Sequence, residues 1–204
     1  MKNEKYKMKN HIIIGVVGQI ASGKGILVKY LTEKFDFVSF SLSSILHDEL
    51  KKKGIKEFTR KTLQDMGDGL RRRYGDEVLA KRAINVLKAQ KKGQVVIEGI
   101  RNPGEIEFLK KNLSFVLIGV KAKRELRFER LLSRAKHWDP KTWTDFVKVD
   151  RRDIGVGQKK SGQQVGKCLA YCDYVLTNNK DFKDFQRKVE KLLDKIKEKG
   201  LMKS

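Results

Sequence analysis

The segment Gly18-Gln19-Ile20-Ala21-Ser22-Gly23-Lys24-Gly25 decides the fold of this chain. It follows an apolar run, 12–17, and precedes a helix-like stretch, 25–34. A strand, a glycine loop and a helix in this order bring backbone N–H groups, a helix N-terminus and a mobile lysine to one anion. The segment therefore predicts a binding site for the phosphates of a nucleoside triphosphate.

One position of this loop differs from the usual phosphate-binding pattern. Gly25 stands where such loops usually carry a Ser or Thr whose hydroxyl contacts magnesium. We therefore expect ATP to bind together with Mg²⁺ that is held partly through water. The loop residues assigned to the nucleotide are Gly18, Ala21, Ser22, Gly23, Lys24, Gly25 and Ile26.

Strand-like and helix-like segments alternate along the rest of the chain. After the first strand, 11–17, the strand segments are 37–41, 94–97, 115–120 and 174–176. Helical segments separate them, so the pattern predicts an α/β fold with a five-stranded parallel sheet covered by helices on both faces. Apolar segments occur along all 204 residues, and we expect one domain, 11–204, after a basic extension, 1–10.

Charged residues follow the third strand segment, where the chain leaves the predicted sheet. Glu98 ends that strand, and active sites of open parallel sheets lie at the carboxyl edge. A carboxylate there can hold magnesium or its waters. Arg101 comes soon enough to face the same crevice, and its guanidinium suits a phosphate. The alternatives are a surface Glu98 and an Arg101 that only pairs with Glu105.

More arginines lie in the last third of the chain. Arg151 and Arg152 begin a Gly- and Gln-rich stretch, 150–166, which is predicted to be a mobile loop. Arg130 and Arg134 are four residues apart and share one face of a predicted helix. Phosphoryl transfer needs positive charge over the migrating group and exclusion of water, so all four are candidates for phosphate contacts. Solvated arginines on a surface are the alternative.

The chain is strongly basic, with a formal net charge of +22 and a pI of about 10.0. Such a surface can attract nucleic acid through its phosphates without reading its sequence. Much of the excess is lysine along predicted helices that also carry acidic residues, and no aromatic-basic signature of an RNA-binding sheet is present. A solvated lysine-rich surface is the favoured interpretation.

Several functional classes are disfavoured by what the sequence lacks. No apolar run approaches the length of a membrane span, and the basic start lacks the apolar region of a signal peptide. We therefore expect a cytoplasmic protein without a membrane partner. Cys168 and Cys172 are four residues apart, which does not match the usual zinc spacing, and we interpret them as small core residues.

Together these segments resemble the P-loop nucleotide kinases, in particular the nucleoside and deoxynucleoside monophosphate kinase-like proteins related to adenylate kinase and dephospho-coenzyme A kinase. The resemblance covers nearly the whole chain after Asn10. It implies a P-loop NTPase fold with an acceptor-binding helical region, about 42–92, and a lid, about 134–166. The segments that carry it, besides the glycine loop, are Glu98-Gly99-Ile100-Arg101, Arg127-Phe128-Glu129-Arg130, Asp139-Pro140-Lys141-Thr142, 150–157, Gly162-Gln163-Gln164-Val165 and Asp173-Tyr174-Val175-Leu176.

The resemblance also implies roles for individual residues. Lys24 would hold the donor phosphates, Arg101 would grip the acceptor phosphate, and Arg151 or Arg152 would close over the transferring group. Asn178 would help to frame the donor base. His47 stands where many relatives carry Arg. The acceptor is assigned to Ser41, His47, Arg60, Arg71, Arg101, Gln163 and Gln164, the metal to Glu98, and the donor nucleotide to Arg130, Arg134 and Asn178 in addition to the loop.

The sequence thus predicts an ATP-dependent kinase that phosphorylates a nucleoside or deoxynucleoside monophosphate and acts as a monomer or homodimer. A dephospho-coenzyme A kinase is one alternative, but a hydroxyl acceptor benefits from a general base. The segment 39–47 has no Asp-x-Asp pattern, and Asp48 is the only acid nearby. A nucleic-acid-associated P-loop ATPase is the other alternative, and it rests on charge alone.

Overall fold

A computed structural model describes residues 12–89, 94–136 and 138–199, and the predicted extension 1–10 lies outside them. The strands of the described residues form one sheet in which every neighbouring pair is parallel. They are β1 (Ile12–Gly18), β2 (Val38–Ser41), β3 (Val95–Glu98), β4 (Ser114–Lys121) and β5 (Tyr174–Thr177). Their order in the sheet is β2-β3-β1-β4-β5. The predicted five-stranded parallel sheet is therefore confirmed.

Helices connect these strands and cover the sheet. In chain order they are α1 (Lys24–Lys34), α2 (Leu42–Lys52), α3 (Arg60–Tyr74), α4 (Val78–Ala89), α5 (Pro103–Asn112), α6 (Arg124–Arg134), α7 (Trp143–Ile154), α8 (Val165–Ala170) and α9 (Phe182–Glu198). Helices α2, α3 and α4 fill the predicted helical excursion between β2 and β3, whose predicted end, 90–92, lies outside the described residues. Within the described residues, no helix combines the length and apolarity needed to cross a membrane.

Alternate side chains of β1 point to opposite faces of the sheet, as in any extended strand. Ile13 and Val17 join one apolar core, to which α2, α4, α5 and α8 contribute. Ile14 and Val16 join a second core, to which α1 and α9 contribute. The sheet is thus the middle layer of three, and the α/β/α sandwich is confirmed.

The two cysteines are free thiols and take part in the apolar packing around the sheet. Cys168 is buried on α8, and Cys172 packs against the same core. Burial raises the pKa of both thiols, that of Cys172 to about 12. Both are therefore protonated near neutral pH, which agrees with their interpretation as small core residues.

The start of the stretch 150–166 is helical, so the prediction of a mobile loop is wrong for residues 150–154. Helix α7 ends only at Gly155, where φ is 110° and glycine is favoured. Asp150 and Asp153 near the end of the helix are buried because each pairs with an arginine of another element. In a sequence pattern, charged residues such as these are expected at the surface. The helix predicted from the pattern therefore ends before residue 150.

Arg71, which is assigned to the acceptor by sequence, lies buried between α3 and α5. Its Nε and Nη2 donate to Oε1 of Glu105 at 3.0 and 2.8 Å. The other oxygen of Glu105 accepts from the backbone N–H groups of Arg101 and Asn102 at 2.8 and 3.1 Å. The assignment is corrected accordingly: Arg71 holds α3 against α5, and through Glu105 it positions the backbone that follows β3.

We expect Glu105→Ala to lower the free energy of unfolding by about 3–5 kcal/mol, because it removes the closer of the two carboxylates that pair with the buried Arg71 guanidinium and leaves only Asp68 at 3.4 Å. Urea denaturation followed by circular dichroism measures the change. Glu33→Ala is the control, since the Lys29–Glu33 pair is exposed, and it should cost less than about 1 kcal/mol. Equal losses in the two variants would contradict the structural role of the buried pair.

Candidate functional site

Lys24 is bound to the loop that carries it. Its Nζ donates to the carbonyl oxygens of Gly18 and Gln19 at 2.7 and 2.8 Å. Burial, followed by repulsion from Arg101, lowers the pKa of Lys24 from 10.5 to about 7, although nearby carboxylates oppose the shift. Lys24 therefore lacks a full counter-charge for its protonated form, and a bound phosphate would raise its pKa again.

A buried arginine holds the tip of the same loop, and sequence analysis assigns it no role of its own. Arg127 of α6 donates to the Asp150 carboxylate of α7 at 2.5 and 3.0 Å. Its Nη1 also donates to the carbonyl oxygen of Ile20 at 3.3 Å. The motif 127–130 drew attention to this region, but the burial of Arg127 depends on Asp150, which is 23 residues away.

Asn178 supports the loop from the end of β5, and this corrects its assignment to the donor base. Its side chain is buried, and Nδ2 donates to the carbonyl oxygen of Ser22 at 3.0 Å. A Cβ at Gly23, where φ is 101°, would overlap this Nδ2. Asn178 in turn accepts from Arg130, through its carbonyl oxygen at 3.0 Å and Oδ1 at 3.3 Å. Arg130 is thereby held beside the loop.

A cavity of about 750 Å³ opens at this loop and includes most of the residues that were assigned to the donor nucleotide. Tyr30 and Phe182 also line it, and Phe182 is exposed to 59%. The sequence-assigned residues among its described lining are Ala21, Ser22, Gly23, Lys24, Gly25, Ile26, Glu98, Arg130 and Arg134. An elongated anion with an apolar end suits a wall of this composition.

A second cavity, of about 340 Å³, lies between the loop, α2, α3 and the segment after β3. It brings together five of the residues assigned to the acceptor, which are Ser41, His47, Arg60, Arg101 and Gln163. Trp138 and Lys136, which carried no assignment, also line it. The two cavities share Ala21, Lys24, Glu98, Arg134 and Lys136. They therefore meet at the lysine of the loop.

The side chains of Gln163 and Gln164 lie in different environments. Gln163 lines the second cavity and accepts a hydrogen bond from Gln64 at 3.0 Å. Gln164 is buried, and its Nε2 donates to the carbonyl oxygens of Lys159 and Lys160 at 3.0 and 2.8 Å. The described lining of the second cavity does not include Gln164. Its assignment to the acceptor is therefore corrected: Gln164 supports the connection 155–164.

The arginines of the second cavity are paired with aspartates of the predicted lid. Arg101 pairs with Asp153 of α7, and not with Glu105. Arg60 and Arg134 both donate to Asp139, at 2.8 and 2.7 Å. Burial alone would raise the pKa of Asp139, but these two arginines hold it below its ordinary value. Asp139 and Asp153 thus supply counter-charges to these arginines from outside the described lining of the cavity.

The described linings of the two cavities do not include Arg151 or Arg152. Arg152 Nη2 donates to Asp65 and Asp68 of α3 at 2.6 and 2.9 Å, and Arg151 is exposed. The assignment of both to the transferring phosphate assumed a loop. As the last turn of α7 instead, they flank the buried Asp150 and Asp153, and Arg152 ties α7 to α3.

Glu98 is half-buried at the end of β3 and lines both cavities. Among the described residues, no cluster of three or more histidine, cysteine or acidic side chains could hold a metal. A single carboxylate fits Mg²⁺ bound to a nucleotide, because that ion usually keeps several waters and takes one or two carboxylates plus phosphate oxygens. The assignment of magnesium to Glu98 stays a prediction.

Sequence comparison finds relatives along most of the chain. Residues 17–145 match a family described as the AAA domain. The UPF0200 protein of Pyrococcus horikoshii is 33% identical, with 91% of this chain and 97% of that protein covered. The UPF0200 protein of Thermococcus kodakarensis is 34% identical, and the coverage is 91% and 98%.

Solved structures with the same fold include kinases. The Thermus thermophilus protein TT1252 has a TM-score of 0.58 at 18% identity, over 92% of this chain and 99% of that one. Shikimate kinase from Acinetobacter baumannii has a TM-score of 0.56 at 15% identity, over 94% and 95%. At these identities the similarity shows the fold alone, and that fold is P-loop kinase-like.

Gly23→Ala should weaken triphosphate binding and lower the free energy of unfolding by about 1–3 kcal/mol, the usual cost of forcing a side chain into a strained backbone position. The added methyl would also press on Asn178, which supports the loop. Differential scanning calorimetry and isothermal titration calorimetry measure the two effects. Gly69→Ala in α3 is the control, because a Cβ there meets no atom within 4 Å outside its own helix backbone, and Gly69 is not in the described lining of either cavity. Equal losses in both variants would refute the steric argument.

Triphosphate binding at pH 8 should take up about one proton, because Lys24 has a pKa of about 7 without ligand and is charged beside a phosphate. The uptake should shrink at pH 6, where Lys24 is already protonated. Isothermal titration calorimetry in buffers of different ionisation enthalpy measures it. Lys24→Arg stays charged at both values and is the control. If this variant takes up as many protons as the wild type, Lys24 is not their source.

Proposed function

This chain belongs to the UPF0200 family and carries an AAA domain with a P-loop kinase-like fold, and we propose that it is an ATP-dependent phosphotransferase acting on nucleoside or deoxynucleoside monophosphates. The observation that carries the proposal is the junction of the two cavities. They share Lys24 and Glu98, so a donor in one and an acceptor in the other would meet at a lysine and a carboxylate. Phosphoryl transfer depends mainly on such positioning and on charge stabilisation.

The charge of the second cavity supports a phosphorylated acceptor. Five cationic side chains line it, whereas Glu98 is the only carboxylate among its described lining; the cations are Lys24, Arg60, Arg101, Arg134 and Lys136. A phosphate acceptor is already anionic and needs little help from a base. A hydroxyl acceptor, as in dephospho-coenzyme A kinase, would have to take Glu98 as its base and so compete with the metal. The monophosphate is therefore the better match.

Each cation would have a defined task in the transfer. Lys24 would leave the carbonyl oxygens of its own loop and bind the β- and γ-phosphates of ATP. Arg101 would exchange Asp153 for the acceptor phosphate. Arg134 and Lys136 line both cavities, so they are better placed than Arg151 and Arg152 to stabilise the migrating group. Mg²⁺, when bound, would neutralise charge on the donor phosphates, and Glu98 would hold it or its waters.

The test is a coupled assay with Mg²⁺ and ATP over the ribo- and deoxyribonucleoside monophosphates plus dephospho-coenzyme A. We expect at least one monophosphate to become a diphosphate, and Lys24→Ala to lower kcat/KM by about 10²-fold or more, because charge stabilisation at the phosphate is lost. Lys51→Ala removes an exposed lysine of α2 and is the control.

Two outcomes would contradict the proposal. If no monophosphate is phosphorylated, the assignment of the acceptor is wrong. If dephospho-coenzyme A alone is phosphorylated, the site uses a hydroxyl acceptor. Activity that persists undiminished in Lys24→Ala would contradict the role of the loop lysine.

A further inference from the structure

Three aromatic rings from separate segments meet beside the second cavity, and two of them, His47 and Trp138, line it. His47 belongs to α2, Phe58 to the connection between α2 and α3, and Trp138 to the connection between α6 and α7. The centroids of Phe58 and Trp138 are 5.7 Å apart at an interplanar angle of 27°. His47 lies 4.9 Å from Phe58 and 6.2 Å from Trp138. We call these three side chains the ring cluster.

The ring cluster stands apart from the apolar cores of the described residues. None of its members belongs to those cores or to the partly buried side chains packed against them, and all three are half-buried. His47 and Trp138 also line the second cavity. Core packing therefore does not account for the ring cluster, and aromatic faces beside a cavity favour a planar partner.

A cation already uses the surface of one ring. The ammonium group of Lys136 lies 5.3 Å from the ring centroid of Trp138, and Lys136 lines both cavities. A ligand ring that stacked on Trp138 would compete with this ammonium group. Lys136 would then be free to move towards the phosphates at the junction of the cavities.

The ring cluster also joins the predicted lid to the acceptor-binding helices. Trp138 stacks on Phe58, and its neighbour Asp139 binds Arg60 of α3 at 2.8 Å. Two consecutive lid residues thus contact the acceptor side, one by stacking and one by charge. A ligand held between them would have both a planar ring and an anionic group.

We propose that the ring cluster recognises the base of the acceptor by stacking, with Trp138 as the residue that determines specificity for base-bearing over base-free phosphates. The proposal rests on the monophosphate kinase function above, and it adds that the site recognises the acceptor by its base. Stacking accepts every base because each has a π-face, and it rejects a sugar phosphate that has none. The phosphate of either ligand would still bind the arginines.

The first experiment uses Trp138 as its own reporter. The chain has two tryptophans, so Trp143→Phe leaves Trp138 as the only one. This variant is titrated without ATP, separately with AMP, GMP, CMP, UMP and ribose 5-phosphate. We expect at least one nucleotide to bind about tenfold tighter than ribose 5-phosphate and to change the Trp138 fluorescence saturably. Ribose 5-phosphate binding as tightly as every nucleotide, or no binding of any nucleotide, would overturn the proposal.

The second experiment compares variants by isothermal titration calorimetry. Trp138→Leu and Phe58→Leu should each weaken the best nucleotide about tenfold and leave ribose 5-phosphate unchanged. Trp138→Phe keeps a ring and should keep the preference. Trp143→Leu is the matched control, because Trp143 packs on Phe128 and Phe146 and not on the ring cluster. A full base preference in Trp138→Leu would overturn the proposal. If Trp138→Leu does not fold, a full base preference in Phe58→Leu would overturn the proposal instead.

These results are distinguishable from a failure of the proposed function. The binding measurements contain no ATP, so a base preference that depends on Trp138 stands even if no phosphate is transferred. Conversely, transfer to ribose 5-phosphate with the same kcat/KM as to the nucleotides would overturn the stacking proposal and leave a phosphotransferase.

Discussion

The structure depends on one constraint: side chains of the protein must donate hydrogen bonds to the carbonyl oxygens of the glycine loop. Lys24 takes two of them, Arg127 takes that of Ile20, and Asn178 takes that of Ser22. These donors come from α1, α6 and the end of β5, so the loop conformation depends on segments that are distant in the sequence. Carbonyl groups held in this way leave the N–H groups of such a loop to an anion.

A second constraint follows from the concentration of arginine at this edge. Buried or half-buried guanidinium groups need counter-charges, because an unpaired ion loses its hydration without compensation. Asp139 and Asp153 of the predicted lid provide counter-charges for Arg60 and Arg101. In the opposite direction, Asp65 and Asp68 of α3 bind Arg152 of α7. These ion pairs thus hold the predicted lid against the predicted acceptor side.

Local patterns predicted the parts of the site that short stretches of chain determine. The alternation of β1 between two cores, the loop 18–25 and the position of Glu98 follow from residues close in sequence. The helix start at Asn102 is also set by neighbouring residues: its side chain accepts from Gly104 N–H at 2.9 Å, and Glu105 reaches back to the cap. In contrast, the roles of Arg71, Asn178 and Arg152 required knowledge of distant partners.

By itself the sequence determined the α/β/α sandwich and the phosphate-binding loop, because hydrophobic periodicity and glycine spacing act over a few residues. The tertiary structure alone decided which arginine meets the cavity and which is buried. Arg71 meets Glu105 across 34 residues, Arg60 meets Asp139 across 79, and Arg152 meets Asp68 across 84. An arginine has the same local signature in all three settings. Its role is set by the carboxylate that folding brings to it, since burial of the charge is tolerated only with that partner.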